Sequence, residues 1–147
     1  MQWQLRLQPL AGLKLQSAEA LSRFVIAAMQ ASDLDEPTRL AVVAVTEELG
    51  ANVMEHSQAE WLEIELAAEG EVAFVRLCDN GRPFDPSAAM RRITQGFVLE
   101  ERVERSLGLY IVRQLARAIA YTRDGDAYNR VEIEIVPDPK SAEARQA

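Results

Sequence analysis

Three short stretches of the chain carry residues whose types and spacing could do chemistry. In the first, Glu48 and Asn52 lie four residues apart, so on a helix their side chains share one face. A carboxylate and a carboxamide both offer oxygens, which suit a hard cation such as Mg²⁺ or the positioning of an attacking nucleophile. Polar pairs at this spacing are also common on solvated helix faces, so the pair alone leaves both interpretations open.

The second stretch, residues 79–83, has the sequence Asp-Asn-Gly-Arg-Pro and directly follows an apolar segment. An acid such as Asp79 at the end of a strand can accept a hydrogen bond from an amino group. The glycine at position 81 lets a ligand approach the backbone closely. Asp, Asn and Gly are also ordinary turn residues, so a plain turn is the alternative interpretation.

The third stretch is found at the opening of a predicted helix and consists of Ser106, Leu107, Gly108 and Leu109. Free amides and the positive end of the helix dipole make such an opening a natural seat for a phosphate group. The alternative is an ordinary helix start that Ser106 caps. The sequence contains neither a P-loop lysine motif nor G-x-G-x-x-G, so the two commonest phosphate-binding motifs are absent.

Hydrophobic periodicity predicts the elements that must position these residues. A period of 3.6 predicts one helix capped by Ser17, a second from Asp35 to about His56, and a third over about residues 107–120. A period of two predicts strands near the start of the chain, at 61–67 and 72–78, and near 120–123 and 130–136. This order predicts an α+β fold, a two-layer sandwich with helices packed on one face of a mixed, mostly antiparallel sheet.

Length and composition predict one globular domain. The chain has 147 residues, of which 48% are hydrophobic and 27% charged. We expect residues 1–136 to form the domain and residues 137–147 to form a polar tail. Residues 84–106 show little periodicity, and a loop of this length in a small domain is usually functional.

Charge and residue counts exclude several functions. The formal net charge of −7 disfavours direct binding of nucleic acid. The longest apolar runs have six residues, far fewer than the roughly 20 that a membrane span needs. The single cysteine, Cys78, cannot form an internal disulfide, and the single histidine, His56, cannot anchor an ordinary zinc site. We therefore expect a cytoplasmic protein without direct contact to membrane or nucleic acid.

Taken in order, the three stretches resemble the motifs of the GHKL (Bergerat-fold) ATPase superfamily. Within it, the chain is most similar to the small anti-sigma-factor serine/threonine kinases of the RsbW and SpoIIAB type. Residues 48–56 match the N-box, E-x-x-x-N-x-x-x-H, and residues 79–83 match the first glycine box, D-x-G-x-P. Residues 106–113 match the second glycine box, with Ser106 at the position of its first glycine. The resemblance extends from Leu15 to Ile135 and implies the histidine-kinase-type ATPase fold.

The resemblance implies roles for individual residues. Asp79 accepts the adenine amino group, Gly81 lets the base approach, and Asn52 holds Mg²⁺ against the phosphates. Glu48 acts as the general base, and residues 84–106 form a lid. The implied ATP-binding residues are Asn52, Asp79, Gly81, Pro83, Ser106, Leu107, Gly108 and Leu109.

The resemblance also implies a function in a bacterial partner-switching system. The chain would bind ATP and Mg²⁺, sequester a sigma factor, and phosphorylate a serine or threonine of a STAS-type anti-sigma antagonist. Pairing through a sheet edge would make it a homodimer. The alternative is an anti-sigma or interaction module with weakened catalysis, binding nucleotide or independent of it. Glu48 favours the kinase because a pure binder needs no base, whereas Ser106 favours the module because serine avoids positive φ.

Overall fold

Five strands and three long helices make up the part of the chain that the structure describes. The structure is a computed structural model that describes residues 1–10, 12–89, 103–125 and 127–137, with the backbone alone for 103–107. The strands are β1 (Gln2–Leu7), β2 (Leu62–Glu69), β3 (Val72–Asp79), β4 (Ala118–Asp124) and β5 (Tyr128–Ile135). The long helices are α1 (Lys14–Ala31), α2 (Glu36–His56) and α3 (Val103–Leu115).

The strands form one sheet in the order β1-β2-β3-β5-β4. All four pairings between the described strands are antiparallel, where the sequence predicted a mixed, mostly antiparallel sheet. Alternate residues of β2, β3 and β5 are buried under α1, α2 and α3, and they include Ile64, Val75 and Ile133. The predicted α+β sandwich is therefore confirmed.

The opposite face of the sheet carries charged side chains. Ion pairs on this face join Arg76 to both Glu65 and Glu132, Arg6 to Glu63, and Arg130 to Asp124. Exposed pairs of this kind contribute little to stability, typically about 0–1 kcal/mol each. These charged side chains keep this face of the sheet in water. The helices and the core therefore lie on the opposite face.

Helix α2 begins and ends where the sequence predicted. The side chain of Asp35 caps it by accepting a hydrogen bond from the Thr38 amide at 2.8 Å, and Pro37 lies in the first turn. At the other end, the Ser57 hydroxyl donates to the Val53 carbonyl at 2.6 Å. Both ends of the helix that carries Glu48 and Asn52 are thereby fixed.

The predicted start of the first helix and the predicted end of the third were wrong. Helix α1 begins at Lys14 and buries Ser17, because Lys14, Leu15 and Gln16 favour a helix and extend it by one turn. Helix α3 ends at Leu115, so residues 116–120 do not continue it. Ile119 belongs instead to β4, because the edge of β5 offers backbone partners, beginning with a bond from the Arg117 amide to the Glu134 carbonyl at 2.8 Å.

Parts of two predicted segments lie outside the described residues. These are residues 90–102 of the expected lid and residues 138–147 of the expected tail. The described part of the lid starts at Phe84 and contains a helical turn at residues 86–89. In the described ranges, no helix has the length and apolar character needed to cross a membrane.

Close packing of α1 on α2 depends on Gly50. A Cβ atom added at Gly50 would overlap the Cδ1 atom of Leu21, which is buried in the core on α1. Gly50 lies between Glu48 and Asn52 on α2, so this contact also holds the helix segment that carries both side chains.

We expect Gly50→Ala to lower the free energy of unfolding by about 1 kcal/mol. Overpacking of a core costs about 1–3 kcal/mol, and the better helix propensity of alanine offsets about 1 kcal/mol of it. The control is Ala51→Gly at the neighbouring exposed position, which measures the propensity term alone. Urea denaturation of the three proteins checks this, and a Gly50→Ala protein more stable than the wild type would contradict it.

Candidate functional site

A cleft opens between α2, the end of β3, the start of β5 and the turn that follows β3. Its cavity volume is about 200 Å³, and its walls are mostly apolar, with contributions from Leu49, Val53, Leu77, Phe84 and Val131. The polar side chains on its lining are Asn52, His56, Ser57, Asp79, Arg82 and Asn129. An apolar cleft with a few convergent polar groups is the usual form of a small-molecule site.

The structure brings some of the predicted site residues together in this cleft. Asn52, Asp79 and Pro83 line it. Glu48 lies one turn before Asn52 on α2, beside α3 and outside the cleft lining. Leu109 is buried in the core. The side chains of Ser106 and Leu107 lie outside the described residues.

Asp79 is the last residue of β3 and only 4% exposed. Its Oδ1 atom accepts hydrogen bonds from the Gly81 amide at 2.9 Å and from Asn129 Nδ2 at 3.2 Å. Burial raises the pKa of the Asp79 carboxyl above its ordinary value, against the opposing effects of these two hydrogen bonds and the positive charge of Arg123. The hydrogen bonds that reach Asp79 from described residues all fall on Oδ1, which leaves Oδ2 as an acceptor for a ligand.

Sequence reasoning missed Asn129. It lies directly opposite Asp79 in the antiparallel register of β3 and β5, and is as deeply buried. The Tyr121 hydroxyl and the Arg123 guanidinium, both on β4, donate to its Oδ1 atom at 2.6 and 3.0 Å. The signal lay in the pairing of the two strands, since a polar residue opposite a buried acid is the natural place for its partner.

Gly81 is required by the packing of the turn against the end of α2. A Cβ atom added there would lie 2.5 Å from the carbonyl oxygen of Ser57, while the Arg82 amide donates to the same oxygen at 2.8 Å. In the same turn, Asn80 Oδ1 accepts from the amides of Glu60 and Trp61 ahead of β2. Gly81 therefore serves the close approach of two backbone segments, and its role beside a nucleobase stays a prediction.

Asn52 fits the position of a ligand-binding side chain. Its Nδ2 atom is buried and has no hydrogen-bond partner among the described residues, which is costly for an amide unless a ligand supplies one. The O and N atoms of an amide occupy equivalent positions, so a half-turn of the side chain offers an oxygen to a cation instead. The described residues contain no group of three or more His, Cys, Asp or Glu that could hold a metal. Mg²⁺ at Asn52 would take its other ligands from phosphate and water, which it does readily.

Gly108 lies directly over the carboxylate of Glu48. A Cβ atom added at Gly108 would overlap Glu48 Oε2, so the missing side chain lets α3 pack onto this carboxylate. Leu109 and Val112, buried in the core, hold α3 in this place. Glu48 is half-buried beneath the helix, one turn from Asn52.

The sequence predicted that residues 106–109 open the third helix, and this prediction was wrong. Helix α3 begins at Val103, so Ser106 is its fourth residue and Gly108 its sixth. The amides without intrahelical partners belong to the first turn of a helix, and here they precede Gly108. A phosphate seat at the amides around Gly108 would need the first turn of α3 to unwind.

We expect Asp79→Asn to raise the free energy of unfolding at neutral pH. The folded pKa of Asp79 exceeds its ordinary value, so wild-type stability falls as pH rises from the ordinary to the folded pKa. Asparagine keeps an acceptor for Gly81 and Asn129 but carries no buried charge. The advantage of the variant is therefore present at about pH 7 and disappears as pH falls below the ordinary aspartate value of about 4. Urea denaturation across this range checks it, and a variant less stable than the wild type at neutral pH would contradict it.

A comparison with protein families agrees with this geometry. The family model of the histidine kinase-like ATPase domain matches residues 13–135, a span that includes Glu48, Asn52, Asp79 and Asn129. No curated protein is significantly similar to the chain. The GHKL resemblance is thereby confirmed at the level of the superfamily, and the chain belongs to the histidine kinase-like ATPase domain family.

Proposed function

We propose that the chain binds ATP with Mg²⁺ in the cleft and transfers phosphate to a serine or threonine of a partner protein. The observation that supports nucleotide binding is a pair of buried polar groups on the lining of one apolar cleft. These groups are the Asp79 carboxylate, with Oδ2 available, and the Asn52 amide, whose Nδ2 atom has no partner among the described residues.

The nucleobase would lie against the apolar walls of the cleft. The side chains of Leu49, Leu77, Phe84 and Val131 would supply its apolar contacts. Asp79 Oδ2 would accept the adenine amino group, since an ionised carboxylate offers only acceptors. Asn52, on the α2 wall, would then hold Mg²⁺, which neutralises phosphate charge when bound.

Glu48 would act as the base for an acceptor hydroxyl. It is one turn from Asn52 on the same helix, so the magnesium ligand and the base have a fixed separation. Gly108 covers its carboxylate in this structure. Proton transfer from a partner hydroxyl therefore requires the start of α3 to move away from Glu48.

A second candidate is a binding module with weakened catalysis. It is favoured by the cover of Gly108 over Glu48 and by the position of Ser106 inside α3. In this case nucleotide binding would regulate an interaction surface, and Glu48 would serve packing between α2 and α3.

The partners in this proposal come from the resemblance to anti-sigma kinases. They are a sigma factor, which the chain would sequester in the cytoplasm, and a STAS-type antagonist, which it would phosphorylate. A homodimer would form through a sheet edge. Among the described strands, β1 pairs only with β2 and β4 only with β5, so each has one edge available.

We expect ATP and ADP to bind in the presence of Mg²⁺. Asp79→Asn places a donor opposite the base amino group, which should weaken binding by about 10- to 100-fold, the equivalent of about 1–3 kcal/mol. Asn52→Ala should weaken binding with Mg²⁺ but change it little without. Calorimetry with and without Mg²⁺ checks both, and no binding at millimolar nucleotide would exclude the site.

We expect Glu48→Gln to slow phosphate transfer by roughly 10²–10⁴-fold, the usual range for loss of a general base. Glutamine keeps the shape and hydrogen bonding, so ADP affinity and sigma-factor binding should stay unchanged. The matched control is Glu47→Gln, one residue earlier on α2 and about 100° away around the helix axis.

Transfer of radiolabelled phosphate from ATP to the antagonist measures this effect. Equal loss in the Glu47 and Glu48 variants would contradict a base at Glu48. A wild-type protein that binds nucleotide and both partners but transfers no phosphate would establish the binding module instead.

A further inference from the structure

Asn129 is the centre of a buried hydrogen-bond network at the wall of the cleft. Its Nδ2 atom donates to Asp79 Oδ1 at 3.2 Å, to the Arg82 carbonyl at 2.8 Å and, at the limit of hydrogen-bond distance, to the Gly81 carbonyl at 3.5 Å. Its Oδ1 atom accepts from Tyr121 and Arg123. The side chain thus joins β5, β4, the end of β3 and the turn after it.

These partners fix which way the Asn129 amide points. A guanidinium group can only donate, so the atom that faces Arg123 must be the oxygen. Carbonyl groups, such as those of Gly81 and Arg82, can only accept, so the atom that faces them must be the nitrogen. Asn129 therefore always presents a donor to Asp79.

We propose that Asn129 is the positioning residue that sets which nucleobase the cleft accepts. This inference rests on the proposed nucleotide function. The amide donor occupies Asp79 Oδ1 together with the Gly81 amide, so the carboxylate is held with only Oδ2 towards the cleft. A single charged acceptor selects a purine that carries an amino group at its edge and disfavours one that carries a carbonyl there.

The same donor favours the ionised form of Asp79, against the effect of burial. Burial raises the pKa of Asp79, while the Gly81 amide, Asn129 and the charge of Arg123 lower it. The other titratable or charged side chains at the site are Tyr121 on β4, His56 on α2 and Arg82 in the turn. Asn129 differs from these groups because its side chain is neutral and donates a hydrogen bond directly to the Asp79 carboxylate.

Asn129→Asp tests the idea because it changes the donor into an acceptor with almost no change of shape. The introduced carboxyl would face Asp79 Oδ1 and the two turn carbonyls, and two adjacent carboxylates share a proton rather than ionise together. A protonated Asp79 can donate, and it would then accept a carbonyl-bearing base.

The experiment compares ADP with IDP, whose hypoxanthine differs from adenine at this edge. Calorimetry over a series of pH values would follow the ionisation of the carboxyl pair. We expect the wild type to prefer ADP by about 10- to 100-fold, since a mismatched edge leaves buried polar groups unpaired. In Asn129→Asp this preference should fall at least about 10-fold, and the remaining ADP affinity should rise with pH as the shared proton leaves.

A milder variant covers the case in which Asn129→Asp does not fold. Tyr121→Phe removes one of the two donors that orient the amide, and should lower the ADP preference by about 3- to 10-fold. The matched control is Tyr128→Phe on β5, whose ring lies on the other face of the sheet and contacts Trp61 at 5.9 Å between centroids. This control should leave the preference and its pH dependence unchanged.

The outcomes separate this inference from the proposed function. If the wild type binds neither ADP nor IDP, the inference and the proposed function are both wrong. If it binds ADP but the Asn129 and Tyr121 variants keep its ADP preference and pH profile, Asn129 has no part in base selection and the proposed function stands. A loss of affinity for ADP and IDP in equal proportion would show a merely structural role and overturn the inference as well.

Discussion

A buried carboxylate must be given hydrogen-bond donors, and that requirement at Asp79 organises the end of the sheet. The donors come from the Gly81 amide and from Asn129, which the antiparallel register places opposite. To supply the amide, the chain must turn sharply after β3, and this turn packs against the carbonyl of Ser57. The position of the cleft relative to α2 follows from these contacts.

Helix α2 is the second fixed part of the site. It carries Glu48, Asn52 and His56 at successive turns, so the side chains that face α3 and the cleft are set by one rigid element. The helix is anchored at its start by Asp35, along its length by Gly50 against α1, and at its end by Ser57. Catalytic or binding groups on such an element keep their separation even when a neighbouring loop moves.

The fold was largely predictable from local patterns, and the site only in part. Periods of 3.6 and two locate α2 and the central strands, because one face of each element is buried. The end of α3 differs from the prediction because Ile119 continues the helical pattern of the sequence, whereas in the structure it pairs with Ile133 of β5. Asn129 and the reason for glycine at positions 81 and 108 depend on contacts between distant segments, which a local pattern does not contain.

Because Gly108 lies against Glu48, a single methyl group at residue 108 would change the position of the Glu48 carboxylate without changing the fold. A side chain at residue 108 would push the flexible end of Glu48 aside, while buried Leu109 and Val112 keep α3 docked on the core. The position of this carboxylate can therefore change while the packing of α3 on the core is kept.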